Sequence, residues 1–192
     1  MSLRKAGAYT KRYARPYTRK SKVKQRSYIK TIPATKVIKL RMGDVKGFIQ
    51  GRFPVVMNIR TTEKVQIRDN ALEATRQFLH RFLTEKIGKD YYLELKLYPH
   101  HILRENKMLT GAGADRMQTG MALSFGACIG RAAFAEKGQI VFIVGVMTPK
   151  QEAETRKLIN SIRARLPCKI TVETERRKIL HRAYNSSKPK KE

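Results

Sequence analysis

Acidic residues are missing from the first 43 positions of this 192-residue chain, although fourteen lysines and arginines stand there. Over the whole chain, 42 Lys and Arg face 15 Asp and Glu, which gives a formal net charge of +27. A segment with this composition repels itself and cannot bury a core of its own. The imbalance indicates a polyanionic partner, and nucleic acid is the usual one.

Cysteines and long apolar runs are also scarce. Cys128 and Cys168 are too few for a disulfide framework and show no metal-ligand spacing, which favours reduced thiols in the cytosol. The longest apolar run, residues 140–147, is too short to cross a bilayer and predicts a buried strand. No apolar stretch follows the N-terminal charges, so we expect neither a signal peptide nor a membrane location.

Motifs that would mark an enzyme are absent as well. Gly111 and Gly113 begin like a dinucleotide-binding fingerprint, but Arg116 occupies the third glycine position, and no Walker-type phosphate loop exists. His100 and His101 have no Cys, Asp or Glu at a convincing ligand spacing. We therefore expect no catalytic site, no metal and no cofactor.

Cations and tyrosines alternate along the N-terminal arm, which we define as residues 1–34. Tyrosine can stack on bases while Lys and Arg neutralise phosphates. The pattern predicts an arm that is extended and becomes ordered on RNA or DNA. Its candidate nucleic-acid-binding residues are Arg4, Lys5, Lys11, Arg12, Tyr13, Arg15, Tyr17, Arg19, Lys20, Lys22, Lys24 and Arg26. A shorter basic tail, residues 175–192, ends the chain with seven basic and two acidic residues.

The middle of the chain, residues 35–174, predicts a globular α+β domain with two helices on a mixed or antiparallel sheet. Apolar alternation predicts strands over residues 35–42, 53–60, 64–67, 91–97, 128–135, 140–147 and 169–174. The alternation of 91–97 predicts one solvent-facing side for that strand, and Lys137-Gly138 predicts a hairpin turn between the two strands beside it.

Both helices have start and stop signals. Asp69 or Asn70 is a good N-cap for a helix that runs to about Ile87 and ends at Gly88. The sequence Thr148-Pro149-Lys150-Gln151 predicts a capping box with proline in the first turn, and the apolar spacing continues to Leu166.

Residues 99–121 read as neither strand nor helix, and we call them the basic loop. A connection of this length inside a small domain is generally functional or disordered. Glycines let the backbone approach a surface closely, and flanking cations indicate that the surface is anionic. The candidate residues are Arg104, Asn106, Lys107, Gly111, Gly113, Arg116 and Gln118.

The basic loop also carries a family resemblance. The runs RENK at 104–107, GAGADR at 111–116 and QTGM at 118–121 resemble the signature of a ribosomal protein family, ten-e of archaea and eukaryotes, the counterpart of bacterial large-subunit protein sixteen. The runs RPYTR at 15–19 and IPATK at 32–36 agree with it. The resemblance covers roughly residues 8–174 and is closest to the archaeal branch, whereas the Lys-rich ends depart from it.

Membership would imply an α/β-hammerhead type of fold and a single copy in the large subunit of the cytoplasmic ribosome. The implied partners are 23S-type rRNA, the vicinity of 5S rRNA, A-site and P-site tRNA, and neighbouring ribosomal proteins. The basic loop would point toward the tRNA acceptor arms near the peptidyl-transferase centre. Two other functions stay open on composition: a free-standing RNA chaperone or nucleic-acid-compacting protein, and an RNA-modifying enzyme that uses the loop as a clamp.

Overall fold

The computed structural model describes residues 32–105 and 127–177. Eight strands and three helices follow one another in this part of the chain, with four consecutive strands between the second and the third helix. The elements are β1 (Arg41–Gly43), α1 (Val45–Ile49), β2 (Val55–Thr61), β3 (Val65–Arg68), α2 (Asp69–Ile87), β4 (Tyr91–Leu95), β5 (His101–Glu105), β6 (Ala127–Ala135), β7 (Ile140–Val146), α3 (Pro149–Ile162) and β8 (Ile170–Arg176).

The strands form two antiparallel sheets. One sheet has five strands in the order β1-β4-β7-β2-β8, and the other has three in the order β3-β6-β5. The helices α2 and α3 pack on this framework through apolar faces. Leu72, Leu79 and Leu83 of α2 and Ile159 and Ile162 of α3 are completely buried. These observations confirm an α+β domain and make its sheets antiparallel.

The predicted start of α3 and the predicted end of α2 are confirmed, but the N-cap predicted at Asp69 or Asn70 is wrong. Arg68 takes the N-cap position of α2 without a side-chain hydrogen bond, and Asp69 is the first helical residue and bonds to the Lys36 N–H. The Thr148 hydroxyl accepts from the Gln151 N–H at 3.3 Å, and the Gln151 side chain accepts from the Thr148 N–H at 3.1 Å, which completes the capping box. At the end of α2, Gly88 takes φ +83°, a conformation that favours glycine. The helix α3, however, ends at Ile162, and Leu166 is buried in the turns beyond it.

The first predicted strand, residues 35–42, is wrong for most of its length, because β1 begins only at Arg41. The alternation of apolar residues was misleading here, because it does not show which group the backbone N–H of each residue bonds to. Lys36 bonds to a side chain of α2 instead of a neighbouring strand, and Ile38 is 76% exposed. The sequence analysis also missed α1, whose N-cap Asp44 accepts from the Gly47 N–H.

The solvent-facing side predicted for residues 91–97 is also wrong, because all five residues of β4 are buried. Glu94 is 6% exposed and lies among hydrogen-bond donors from Arg41, Tyr92 and Lys96. A charged side chain at a position predicted to face solvent can be buried when hydrogen-bonding partners lie beside it.

The hairpin predicted at Lys137-Gly138 is wrong in its pairing. A tight turn is present, with Gly138 at φ +80° and the Gln139 N–H donating to the Glu136 carbonyl. The strands on either side nevertheless belong to different sheets, since β6 pairs with β3 and β5 while β7 pairs with β2 and β4. The turn therefore carries the chain from one sheet to the other.

Both cysteines are free. Cys128 lies in β6, whereas Cys168 precedes β8 and is buried. Burial raises the pKa of the Cys168 thiol to about 11, so this group stays protonated at neutral pH.

Candidate nucleic-acid interface

The basic loop begins inside a strand, which corrects its reading as wholly irregular. Residues 101–105 form β5, which pairs antiparallel with β6, and the last paired residues are Arg104 with Cys128 and Glu105 with Ala127. The register shifts between Leu103 and Arg104. Because Glu105 and Ala127 are paired, the chain leaves and re-enters the three-stranded sheet at one place.

Of the predicted nucleic-acid-binding residues, one lies in the described part of the chain and the others lie outside it. Arg104 lies in β5, at the base of the basic loop. The remaining loop candidates, Asn106 to Gln118, lie outside the described residues, as do the arm candidates from Arg4 to Arg26. Of the tail, only residues 175–177 are described, and β8 continues to Arg176.

The end of the N-terminal arm contacts the base of the basic loop. Arg131 of β6 donates from Nε to the Pro33 carbonyl oxygen at 2.7 Å, and its Nη1 lies 3.5 Å from the Tyr98 hydroxyl. Arg131 is also the register partner of Ile102 in β5. One side chain thus joins the two segments that carry the predicted interface.

Beyond Pro33 the chain follows the start of α2, and we call residues 33–40 the connecting segment. Asp69 Oδ2 accepts from the Lys36 N–H at 3.1 Å, and Glu73, one turn later, accepts from the backbone of Ile38. Val37, between them, is buried. Residues two apart in an extended chain present their N–H groups to the same side, so two carboxylates one helical turn apart can hold both.

Glu73 has a second partner. The Arg76 guanidinium donates to both of its oxygens, with a 2.8 Å bond from Nε to Oε2, and also reaches the Met42 sulfur. The bonds from Arg76 hold the pKa of the Glu73 carboxyl below its usual range, although burial opposes them. This buried ion pair therefore holds α2, the connecting segment and β1 together.

Glu94 ties β1 to β4 in a similar way. Burial alone would raise the pKa of its carboxyl, but hydrogen bonds from Lys96, Tyr92 and Arg41 outweigh it and lower that pKa. The donors lie at 2.9 Å for the Tyr92 hydroxyl and 3.0 Å for Arg41 Nε. Burial, followed by the bond to Glu94, raises the pKa of Tyr92, so its hydroxyl remains a donor at neutral pH.

The histidines of the basic loop point to different neighbours. The His100 ring lies 4.8 Å from the Tyr98 ring, and the His101 ring lies 4.8 Å from the Phe134 ring. Burial lowers the pKa of His101. Within residues 32–105 and 127–177, no group of three His, Cys, Asp or Glu side chains is arranged to hold a metal ion.

Comparison with known proteins identifies the family. Residues 14–173 match the model of the family described as ribosomal protein L16p/L10e. The chain belongs to this ribosomal protein family. The match includes most of the N-terminal arm, all of the basic loop and nearly all of the globular domain. Members of this family are structural components of ribosomes, so the chain is not an enzyme.

Several archaeal relatives of the family cover most of the chain. The large ribosomal subunit protein uL16 of Caldivirga maquilingensis is 40% identical over 94% of this chain and 99% of its own length. Those of Thermofilum pendens and Methanococcus maripaludis are 45% and 38% identical, over 76% and 90% of this chain and 82% and 95% of theirs. The archaeal character of the resemblance is thereby confirmed.

The charge distribution of the globular domain agrees with a ribosomal protein. Most carboxylates in the described part are already occupied by cations of the same domain, including Asp44 by Arg52 and Glu173 by Arg60. No helix of the described part is long and apolar enough to span a membrane.

Sequence reasoning missed the residues that hold the connecting segment, namely Asp69, Glu73 and Arg131. A signal existed in the spacing of Asp69 and Glu73, which places two carboxylates on one side of the first turns of α2. Their partners are main-chain groups more than thirty residues away, and a backbone N–H leaves no mark in a sequence.

Proposed function

We propose that the chain is a structural constituent of the large subunit of the cytoplasmic ribosome, present in one copy and bound to 23S-type rRNA near 5S rRNA. Residues 1–34 act as an rRNA-binding arm, residues 35–174 as the globular domain that carries the basic loop, and residues 175–192 as a basic tail. Through the loop the protein helps to shape the region of A-site and P-site tRNA near the peptidyl-transferase centre, beside neighbouring ribosomal proteins.

The observation that carries this proposal is the common origin of the two basic segments. The Arg131 side chain bonds to Pro33, where the arm ends, and its strand pairs with the strand from which the loop departs. Both basic segments therefore leave the domain beside the antiparallel strand pair β5–β6. A surface that presents two basic segments together suits a folded RNA, which offers closely spaced phosphates.

Each segment has its own chemistry on RNA. Arginines of the arm can make bidentate phosphate contacts, and Tyr13 and Tyr17 can stack on bases. In the basic loop, Arg104, Lys107 and Arg116 supply charge, while Asn106 and Gln118 supply hydrogen bonds. Gly111 and Gly113 let the backbone follow the RNA surface closely.

Co-sedimentation tests the proposal. We expect stoichiometric recovery of the chain with large subunits after a high-salt wash, because an arm and a loop that are ordered within folded rRNA dissociate slowly even where salt weakens the individual phosphate contacts. A free-standing RNA chaperone or nucleic-acid-compacting protein would be released by salt and would bind unrelated RNAs equally well. Release at moderate salt, or substoichiometric amounts, would contradict the ribosomal proposal.

Neutralising the arm separates its contribution from that of the globular domain. Replacing Arg12, Arg15 and Arg19 with Gln should reduce the salt dependence of rRNA binding, since each lost phosphate contact lowers the slope of log K against log salt by roughly 0.7 to 0.9. The matched control replaces three arginines that are paired with carboxylates, Arg41, Arg52 and Arg60. Equal slopes for the two triple variants would contradict a direct role for the arm.

A further inference from the structure

Two groups can be distinguished among the arginines of the described part. Seven of them form ion pairs with six carboxylates, which are Asp44, Glu73, Glu94, Glu152, Glu173 and Glu175. These cations are largely neutralised within the protein itself. They contribute little to the attraction of a partner, because a nearby carboxylate cancels their field at a distance.

Three exposed arginines have no carboxylate partner within residues 32–105 and 127–177: Arg81 on α2, and Arg163 and Arg165 just after α3. Two of them are held by aromatic rings instead. The Arg165 guanidinium lies over the Phe78 ring, 4.4 Å from its centroid, and that of Arg81 lies 5.9 Å from the centroid of Phe82.

The two rings themselves form one platform. The centroids of Phe78 and Phe82 are 4.5 Å apart, as expected for residues four apart on one face of a helix. We call the five residues Phe78, Arg81, Phe82, Arg163 and Arg165 the helix-end surface. It joins the second half of α2 to the turn after α3.

An arginine held by an aromatic ring differs chemically from one held by a carboxylate. The ring covers one face of the guanidinium plane and restricts its motion, but leaves the full positive charge and the N–H groups at its edge available. Those edge groups match two oxygens of a phosphate in a bidentate contact. The guanidinium N–H groups of the helix-end surface are therefore available to bind an anion from another molecule.

We infer that the helix-end surface binds the sugar–phosphate backbone of RNA, as a contact additional to the arm and the basic loop. This inference rests on the proposed function. The distance from Asp69, which holds the connecting segment, to Arg81 is twelve residues of α2, or about 18 Å along its axis. The helix-end surface thus extends the RNA contact to a different part of the domain.

Charge favours RNA over a protein partner at this surface. The large apolar side chains exposed in the described part are Ile38, Leu40, Ile49 and Tyr98, and none of them belongs to α2 or α3. A protein interface would be expected to present apolar groups at its centre. Arg165 stacked on Phe78, with the exposed Arg81 5.9 Å from the Phe82 centroid and the exposed Arg163 two residues before Arg165, presents positive charge instead.

The test uses the full chain and the large-subunit rRNA in a filter-binding assay at several salt concentrations. One triple variant carries Arg81→Gln, Arg163→Gln and Arg165→Gln. The control carries Arg52→Gln, Arg60→Gln and Arg156→Gln, which removes the same charge from carboxylate-paired arginines. Circular dichroism at the assay temperature confirms that both are folded.

We expect the helix-end variant to bind roughly tenfold more weakly or worse, and its salt slope to fall by about 2 to 3, as for three lost phosphate contacts on duplex RNA. The control variant should lose much less. The single change Arg165→Lys keeps the charge but not the planar stack, and should recover only part of the affinity that Arg165→Gln loses.

Two outcomes would overturn the inference in distinguishable ways. Equal losses in the two triple variants would mean that only total charge matters, and would overturn this inference while leaving the proposed function intact. Failure of the unmodified chain to prefer large-subunit rRNA over an unrelated RNA of the same length would overturn the proposed function, and this inference with it.

Discussion

Arg131 and Pro33 are joined by a 2.7 Å hydrogen bond from a guanidinium nitrogen to a main-chain carbonyl oxygen, across 98 positions of sequence. The bond links β6, the strand to which the chain returns after the basic loop, with the point where the N-terminal arm meets the domain. Proline has no N–H of its own, so its carbonyl is the only main-chain group there that can be held. The relationship gives the two basic segments a shared and fixed starting point.

Replacing Arg131 with Met should release the start of the connecting segment. We expect the free energy of unfolding to fall by about 1 to 2 kcal/mol, the usual effect of removing a charged hydrogen bond. A lysine-specific protease should cut faster after Lys36 and Lys39. The exposed Arg163, changed to Met in the same way, serves as the control. Cleavage at unchanged rates would show that Arg131 does not hold this segment.

Gly43 and Gly88 form a matched pair of glycines with nearly the same positive φ, +81° and +83°. A Cβ on Gly88 would meet no atom within 4 Å, whereas a Cβ on Gly43 would overlap the Tyr91 carbonyl of the neighbouring strand. Gly88→Ala should therefore cost about 1 to 2 kcal/mol for the backbone conformation alone, since φ +83° with ψ −126° is a combination that other residues rarely adopt. Gly43→Ala should cost about 3 kcal/mol or more. Urea unfolding measures both, and equal losses would contradict the close approach of β1 to β4.

Glu73 should make the stability of the domain sensitive to acid. Its carboxyl pKa lies below the ordinary 4.5 in the folded state, chiefly because Arg76 donates to it. The stabilisation is therefore complete above the unfolded pKa, and is lost as the pH falls through the lower folded value. Glu73→Gln should reduce stability at pH 7 by roughly 3 kcal/mol, since Arg76 then lacks its counter-charge.

The same change should flatten the decline in unfolding free energy between about pH 5 and pH 3. The control is Glu85→Gln, on an exposed position of the same helix. A Glu73→Gln protein whose unfolding free energy falls as steeply as that of the unmodified chain would show that other carboxylates cause the acid sensitivity.

Gly113, in the basic loop, should be needed for ribosome function and not for folding. We expect Gly113→Val to leave thermal unfolding of the isolated chain unchanged while impairing subunit maturation or tRNA accommodation, because a branched side chain keeps the backbone away from RNA. The control is Gly130→Val in β6, where a Cβ would meet no atom within 4 Å. Normal polysome profiles and translation with Gly113→Val would contradict a role for the loop.

Local signals in the sequence were reliable guides to elements. The capping box at Thr148 and the end of α2 at Gly88 depend on residues within a few positions of one another, and both are present, whereas neither Asp69 nor Asn70 is the N-cap of α2. A cap is formed by neighbours in the chain, so its residues suffice to predict it. The same holds for the strands with strong apolar alternation, such as β2 and β7.

The pairing of strands and of charged side chains could not be predicted from the sequence. The turn at Gly138 has the residues of a hairpin, yet β6 and β7 join different sheets, because each strand finds a better partner elsewhere in the chain. In the same way, Glu94 has a polar position by alternation but becomes buried, and besides Tyr92 and Lys96, each two residues away, Arg41 of the neighbouring strand β1 donates to it. Neither partner can be read from the local pattern.

The sequence by itself determined the class of this protein, because charge and motif residues are properties of the chain that survive any fold. The excess of cations, the acid-free beginning and the glycine-rich basic loop already pointed to RNA and to a ribosomal family. Only the tertiary structure determined which Lys and Arg side chains are paired with carboxylates and which are available to bind RNA. Several ion pairs join residues far apart in sequence, so folding alone determines that Arg60 is neutralised by Glu173 while Arg165 stays exposed on a phenylalanine ring.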